Sequence, residues 1–378
     1  MKDKTRPDVT RKEENRMIYM DYAATSPMSH EALQAYCEVA QRYYGNSASL
    51  HDAGGQASYF IEQARAVVAK TLGVSSDGII FTGSGTEGNV LAILSVALAS
   101  KKGKHIITSQ AEHTSVHAAL NTLEKMGYVV TKLPLQQNGC VSVAQLTEVI
   151  REDTALITIQ HVNSEIGSIQ PVEEIAAVAK KADVFFHVDC VQSFCKLSTK
   201  SFCELVDAMT VSAHKIGGPK GCGAVYINPK IRVSALTPGV THERGLRGGT
   251  LDTPAIVAFG TAIESFQYER QYFEALRQYL RKHLPQTCRI IDFKEQLPNI
   301  CGLLMERVEG QYVLLKLNEV GICISTGSAC DIQSESGTKA ILSMGFTMEE
   351  ARQFFRISFG ATTTFQEVNL LIAALTEI

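Results

Sequence analysis

Apolar and polar positions follow two periods along residues 79–228. Short apolar runs rich in β-branched residues, typical of buried strands, alternate with longer amphipathic stretches, typical of helices. The predicted strands are Ile79–Phe81, His105–Thr108, Val129–Leu135, Ala155–His161, Val184–Val188, Ala208–Val211 and Ala224–Ile227. The predicted helices include Ala57–Leu72, Glu87–Ala99, Ser115–Met126 and Val172–Lys181. This alternation predicts an α/β fold in which helices cover both faces of a mostly parallel sheet.

The pattern changes beyond Thr253. A long helical stretch runs to about Leu284, and weaker strands and a terminal helix from Phe365 follow, which predicts a smaller α+β domain. Residues 241–250, THERGLRGGT, predict a loop at a domain junction or a subunit contact. We predict a flexible tail over residues 1–16, a large domain over 17–253 and a small domain over 254–378. An alternative for the first residues of the large domain is that they pack on the small domain.

Composition and charge narrow the class of protein. The 378 residues are 45% hydrophobic and 20% charged, with a formal net charge of −3, which is typical of a soluble globular protein without a polyelectrolyte surface for nucleic acid. The longest apolar run, Leu91–Ala99, is far shorter than the roughly 20 residues of a membrane span. Residues 1–16 have no apolar core and do not resemble a signal peptide. We therefore expect a cytoplasmic protein with a small-molecule substrate and no membrane contact.

The ten cysteines are scattered without any CxxC pair. This spacing argues against a zinc site and against a disulfide framework, so we expect reduced thiols and no metal. Cys330 differs from the others because it opens a polar loop, STGSACDIQSESG. Exposure in such a loop suits a nucleophile, although a single loop cysteine without a partner motif is more often inert.

Polar residues at predicted strand ends indicate where a ligand would bind, because ligands of open α/β sheets lie beyond the carboxyl ends of the strands. In FTGSGTEGNVLAIL a strand runs through a glycine turn into a helix. The free N–H groups near Gly85 and Thr86 would then form an anion site at a helix N-terminus. An ordinary helix cap is the open alternative.

Two further strand ends carry ionisable groups. Asp189 follows an apolar strand, with Gln192 one helical turn onward, and a buried carboxylate there needs a cationic partner or a capping role. Ser212, His214 and Lys215 end another strand before a sharp glycine turn. Desolvation there would lower the pKa of Lys215 enough for a Schiff base, whereas an ordinary turn lysine is solvated. Together a carboxylate, a phosphate site and a lysine fit one cofactor with a pyridinium nitrogen and an aldehyde.

His113 and Arg356 complete the set of candidate residues. His113 follows an apolar strand, where an imidazole can stack on a flat ring, move a proton, or serve only as a core or capping residue. Arg356 lies within an apolar strand, and a buried guanidinium implies a carboxylate partner, either on a substrate or in a structural salt bridge.

From about Met17 to its end, the chain resembles the class V aminotransferase family and, within it, the NifS/IscS group of cysteine desulfurases. The resemblance rests on MDYAATSPM, GNSASLHDAGG, FTGSGTEGN, AEHTSV, HVNSEIGSIQP, HVDCVQSF, SAHKIGGPKG, RGGT, LPNI, STGSAC and RISFG, in that order. It implies a fold-type I enzyme dependent on pyridoxal 5'-phosphate (PLP), with a mostly parallel seven-stranded sheet in the large domain.

The resemblance also implies how the cofactor is held. Lys215 would bond to its aldehyde and later move the Cα proton of the substrate, Asp189 would pair with the ring nitrogen, and Gln192 would bind the phenolic oxygen. Thr250 would reach the phosphate of a neighbouring subunit, which implies a homodimer. Ser164 stands where the group usually has asparagine, so one contact near the phenolic oxygen is altered. The phosphate would be held by Gly85, Thr86, Ser212 and His214.

The same resemblance implies the chemistry. His113 would stack over the cofactor ring and handle protons on the substrate thiol, and Arg356 would bind the carboxylate of L-cysteine. Cys330 would take the sulfur as a persulfide, which leaves alanine, and residues 331–337 would form the flexible loop that carries it to an acceptor.

NSEIG, GQYVLL and STGSAC look most like NifS-type enzymes of Gram-positive bacteria, which are associated with sulfur supply for quinolinate synthase in NAD biosynthesis. The expected acceptor is that enzyme or another iron–sulfur assembly protein. Two alternatives stay open: a related PLP enzyme such as an aminotransferase or a lyase for selenocysteine or cysteine sulfinate, and a degenerate scaffold without turnover.

Overall fold

A computed structural model describes residues 17–326 and 338–378. The strands are β1 (Ile18–Tyr19), β2 (Ile79–Thr82), β3 (His105–Ser109), β4 (Val129–Leu133), β5 (Thr154–Gln160), β6 (Phe185–Asp189), β7 (Ala208–Ser212), β8 (Gly223–Ile227), β9 (Cys288–Ile291), β10 (Ile300–Met305), β11 (Ile322–Cys323) and β12 (Phe354–Ser358). The helices are α1 (His30–Arg42), α2 (Asp52–Leu72), α3 (Gly85–Ala99), α4 (Thr114–Lys125), α5 (Val143–Glu148), α6 (Val172–Lys181), α7 (Thr253–Ser265), α8 (Arg270–His283), α9 (Gly310–Glu319), α10 (Lys339–Ser343), α11 (Met348–Arg352) and α12 (Phe365–Thr376).

The seven predicted strands form one sheet in the order β2-β8-β7-β6-β5-β3-β4. Strand β8 runs antiparallel to both of its neighbours, and the other six strands are parallel. The predicted α/β fold with a mostly parallel sheet is therefore confirmed. The carboxyl ends of the six parallel strands lie at a single edge, where the polar strand-end residues meet.

Helix α3 packs directly on the middle of this sheet. Most of its apolar residues are buried, and Gly88 faces β7 so closely that an added Cβ would lie 2.8 Å from Thr210 Cγ2. The absent side chain thus lets the helix approach the strand. This close packing fixes the N-terminus of α3 at the carboxyl edge of the sheet.

A second sheet, with the antiparallel order β12-β10-β9, belongs to the C-terminal part of the chain. Strand β1 pairs with β11, and Ile18 and Met20 lie in the same hydrophobic cluster as Phe355 and Leu371. The first described residues therefore pack on the C-terminal part. The domain boundaries themselves stay a prediction.

The prediction of one helical stretch from Thr253 to about Leu284 was wrong in detail, because the chain forms two helices there. Helix α7 ends at Ser265 and packs on α1 and α2, whereas α8 begins at Arg270 and packs on α12. The break brings Tyr268 to Asn299, whose Oδ1 accepts from the tyrosine hydroxyl over 2.8 Å. No glycine or proline lies between Ser265 and Arg270 to mark the break in the sequence, so packing reveals the change of partner.

Within the described residues, no helix is both long and apolar enough to cross a membrane.

A buried ion pair anchors residues 241–250 to the large sheet. Arg65 donates to both carboxylate oxygens of Glu243, over 2.8 and 3.0 Å, and also to the carbonyl of Ile79. Glu243 in turn accepts from the backbone N–H of Phe81. The side chains are only 6% and 3% exposed. Glu62 also accepts from Arg65 Nε, over 3.0 Å, but its side chain is 57% exposed, so Glu243 is the buried partner of the Arg65 charge.

Glu243→Ala should lower the free energy of unfolding by up to about 3–5 kcal/mol, because it leaves the buried Arg65 charge with only the exposed Glu62 as a carboxylate partner. The matched control is Glu38→Ala, which breaks the exposed pair with Arg42 and should cost less than about 1 kcal/mol. Denaturant unfolding of both variants measures the difference, and equal midpoints would contradict the prediction.

Candidate active site

A cavity of about 280 Å³ opens at the carboxyl edge of the seven-stranded sheet. Its wall contains ten of the residues singled out from the sequence, namely Gly85, Thr86, His113, Ser164, Asp189, Gln192, Ser212, His214, Lys215 and Arg356. Thr250 is exposed and is not among the residues that line the cavity. Cys330 lies outside the described residues.

Lys215 follows β7 in a short 3-10 turn that aims its amine into the cavity. Nζ donates to the carbonyl oxygens of Ala23 and Ala24, over 2.6 and 2.8 Å. Burial, and after it the positive charge of Arg356, lowers the pKa of Lys215 to about 7. A large fraction of this amine is therefore uncharged near neutral pH.

Asp189, at the end of β6, is satisfied by two neutral donors. Asn89 Nδ2 donates to Oδ2 over 2.7 Å, and the backbone N–H of Val191 donates to Oδ1 over 2.9 Å. The cationic partner expected from the sequence is replaced in the structure by these N–H groups. Because Asp189 also lines the cavity, it can still accept from a protonated nitrogen of a bound group.

Helix α3 begins at Gly85 and Thr86, where the sequence predicts an anion site. Ser84 caps the helix by accepting from the Glu87 N–H over 3.1 Å, and the N–H groups of the two preceding residues point out of the helix end. A Cβ on Gly85 would lie 2.9 Å from Val191 Cγ2. Only glycine allows this close approach between the helix start and the segment after β6.

Three buried oxygens of cavity-wall residues have no hydrogen-bond partner among residues 17–326 and 338–378: Ser212 Oγ, Gln192 Oε1 and Asn89 Oδ1. The amide nitrogen of Gln192 is occupied, since it donates to the Ala23 carbonyl over 2.7 Å. A buried polar atom without a partner is costly unless a ligand supplies one. These oxygens are therefore available to a bound group.

His214 Nδ1 forms a hydrogen bond of 3.1 Å with the hydroxyl of Thr25, and the tautomer of the ring decides which of the two donates. Burial, reinforced by the charge of Lys215, lowers the pKa of His214 to about 4. The ring is thus neutral at physiological pH, and a phosphate would meet a dipole there rather than a charge.

Arg356 has a carboxylate partner from the chain itself, as the alternative interpretation of the sequence expected. Nη2 donates to Asp21 Oδ1 over 2.6 Å, and Nη1 donates to the carbonyl of Ser164 over 2.9 Å. The buried Nε has no partner among the described residues. Arg356 therefore belongs to a structural salt bridge and still offers one donor at the cavity wall.

Sequence reasoning missed three residues of the cavity wall, Ala23, Asn89 and Gln160, whose Nε2 donates to the Ala111 carbonyl over 2.7 Å. It also missed Asp21, which is the partner of Arg356 and is not among the residues that line the cavity. Asn89 gave a usable signal, because a lone asparagine in an apolar helix needs a buried partner. Ala23 gave none, since only its backbone takes part.

In the part of the chain that the structure describes, no three His, Cys, Asp or Glu side chains are arranged to hold a metal ion.

Comparison with known proteins places this geometry in a family. The class-V aminotransferase family model matches residues 18–371. A protein named NifS from Halalkalibacterium halodurans is 40% identical over 369 residues, which covers 96% of this chain and 98% of the relative. A cysteine desulfurase IscS from Dictyoglomus turgidum is 37% identical over 374 residues, 96% of this chain and 94% of the relative.

Solved structures agree with these relatives. A NifS-like protein superposes with a TM-score of 0.88 at 32% identity, covering 96% of this chain and 98% of that one. The structure described as SspA in complex with cysteine has a TM-score of 0.81 at 33% identity, covering 90% of this chain and 98% of that one. The chain therefore belongs to the class-V aminotransferase family and, within it, to the NifS/IscS group.

Proposed function

We propose that this protein is a PLP-dependent cysteine desulfurase, which transfers the sulfur of L-cysteine to Cys330 and releases L-alanine. The observation that carries the proposal is the single cavity that joins the Lys215 amine, the Asp189 carboxylate and the N-terminus of α3. The names of the relatives support it, since those from H. halodurans and D. turgidum are both named for this activity.

The cavity suits PLP because each polar part of that cofactor meets a matching group. Asp189 would accept from the ring nitrogen. Gln192, whose Oε1 has no partner among the described residues, would either accept from a donor near the phenolic oxygen or turn its amide group toward that oxygen. When bound, PLP supplies an electron sink that weakens bonds at the substrate Cα and Cβ. The phosphate would be held by the N–H groups of Gly85 and Thr86, by the unpartnered Ser212 Oγ and by His214.

Lys215 would act both as the attachment point and as the base. An uncharged amine is the nucleophilic and basic form, and burial makes it available near neutral pH. Its present acceptors are the carbonyls of Ala23 and Ala24, so these positions hold the amine in the cavity until it reacts. Ser164, in place of the usual asparagine, lines the wall and would offer a hydroxyl there.

Arg356 would bind the carboxylate of cysteine through its unpartnered Nε, with Asp21 and the Ser164 carbonyl fixing the guanidinium plane. The two ends of the segment that contains Cys330 support its role. Ser325 exchanges backbone hydrogen bonds with Arg356, and the N–H of Ala340 donates to Glu165 over 2.9 Å. Both ends are thus attached beside the substrate side of the cavity.

Assembly and partners extend the proposal. Thr250 is exposed in its own chain, so it is free to contact the phosphate site of a second copy in a homodimer. The resemblance predicts that the sulfur acceptor is quinolinate synthase or another iron–sulfur assembly protein. The cytoplasmic location is likewise still a prediction.

Cys330→Ala should abolish release of sulfide from L-cysteine in the presence of a reductant, because the proposed mechanism passes the sulfur through the Cys330 thiol. Alanine and sulfide should form in equal amounts in the native protein. The matched control is Cys37→Ala, which removes an exposed thiol on α1 and should leave both products unchanged. Full activity in Cys330→Ala would favour a related PLP enzyme that does not use a thiol.

The pH dependence of Lys215 provides a second test. In the protein without cofactor, labelling of Lys215 by an amine-specific reagent should rise with pH and be half-maximal near pH 7, because only the unprotonated amine reacts. Arg356→Met removes a positive charge that lowers this pKa, so the midpoint should move upward. Mass spectrometry of the labelled peptide measures both, and a midpoint near 10 in the native protein would contradict the prediction.

Arg356→Lys should raise KM for cysteine roughly 10- to 100-fold, because lysine cannot reproduce the planar set of donors, and a charge-assisted hydrogen bond contributes about 1.5–3 kcal/mol. The effect on kcat should be smaller, since Arg356 binds the carboxylate and not the reacting sulfur. Steady-state kinetics separate the two parameters. An unchanged KM would leave Arg356 a purely structural role.

A further inference from the structure

His113 is the N-cap residue of α4, and the first turn of that helix holds its ring. The backbone N–H of Ser115 donates to His113 Nδ1 over 3.2 Å. A backbone N–H has no lone pair to offer, so the ring nitrogen must be the acceptor. In a neutral imidazole of this orientation, the proton therefore lies on Nε2.

The Ser115 hydroxyl reinforces the same arrangement. Its Oγ lies 2.7 Å from His113 Nδ1 and accepts from Asn89 Nδ2 over 2.9 Å. A serine hydroxyl has a single hydrogen, and Nδ1 is already an acceptor, so Oγ must donate that hydrogen to the ring. Two donors from one residue thus converge on Nδ1.

Asn89 is oriented by the carboxylate on its other side. The same Nδ2 donates to Asp189 Oδ2 over 2.7 Å, and an ionised carboxylate can only accept. The amide must therefore turn its NH2 group toward Asp189, which leaves the second hydrogen for Ser115. Asn89, Ser115 and Asp189 are 1%, 3% and 6% exposed, so water does not compete for these bonds.

We propose that Asn89 and Ser115 are positioning residues that hold His113 with its proton on Nε2, so that the ring offers the substrate site an N–H donor and not a lone pair. A proton on Nδ1 would face the backbone N–H of Ser115 and leave that buried donor without an acceptor. The direction of every bond in the chain follows from Asp189, which accepts.

The consequence for catalysis rests on the proposed function. An N–H at Nε2 stabilises a thiolate or carboxylate of the bound cysteine by a charge-assisted hydrogen bond, and it cannot take the proton of a thiol. Lys215, whose pKa burial lowers to about 7, is then the base of the site. The resemblance gave proton handling on the thiol to His113, and the hydrogen bonds assign that residue the role of donor.

The tautomer can be read directly from protein without cofactor. Histidine labelled with ¹³C and ¹⁵N gives a solid-state correlation through Cδ2, which is bonded only to Nε2. The His113 signal is the one lost in His113→Asn, a variant that keeps a side chain suited to capping α4. We expect Nε2 to be protonated and Nδ1 unprotonated at mildly alkaline pH. Ser115→Ala should shift the Nδ1 resonance and Ser115→Thr should restore it. A protonated Nδ1 in the native protein would overturn the proposal.

Enzyme activity provides an independent test of the role of His113. A glutamine amide can place an N–H near the position of Nε2 but cannot accept a proton, whereas asparagine is too short to reach it. His113→Gln should therefore retain roughly 10- to 100-fold more kcat/KM for cysteine than His113→Asn, the range expected for one charge-assisted hydrogen bond. Equal losses in both variants would identify His113 as a base and contradict the proposal. Absence of sulfide from the native protein would instead refute the desulfurase function, while the spectrum still decides the tautomer.

Discussion

Six parallel strands end at one edge of the large sheet, and the polar groups placed there must be satisfied in a region that the sheet and its helices shield from water. Most of the described site follows from this constraint. Asp189 accepts from Asn89 on α3 and from the backbone after β6, which fixes both elements relative to each other. The same requirement extends from Asn89 through Ser115 to His113.

The segment before α1 connects the two halves of the protein through its backbone. The Ala23 carbonyl accepts from Lys215 and from Gln192, and the Ala23 N–H donates to Ser358 Oγ on β12 over 2.8 Å. Asp21, two residues earlier, binds Arg356 on the same strand. The short segment Asp21–Ala24 thus holds Lys215 and the candidate carboxylate-binding Arg356 at one cavity.

Much of the fold could be predicted because its signals are local. Most strands of the large sheet are short apolar runs, and the α6 helix begins and ends where its periodicity indicates. The break between α7 and α8 could not be predicted, since no glycine or proline lies between Ser265 and Arg270 and the hydroxyl of Tyr268 donates to Asn299, which is 31 residues further along the chain. Candidate site residues were visible for the same reason as the strands: they directly follow apolar runs.

The sequence by itself determined the strands, most of the helices and the polar residues at the strand ends, because these depend on neighbours within a few positions. The tertiary structure decided which of those residues meet and what state they adopt. The Asp21 carboxylate reaches Arg356 across 335 positions, and the orientation of His113 depends on Asn89 from another helix. Such pairings follow from packing in three dimensions and from the cost of a buried group without a partner, which no local pattern of residues encodes.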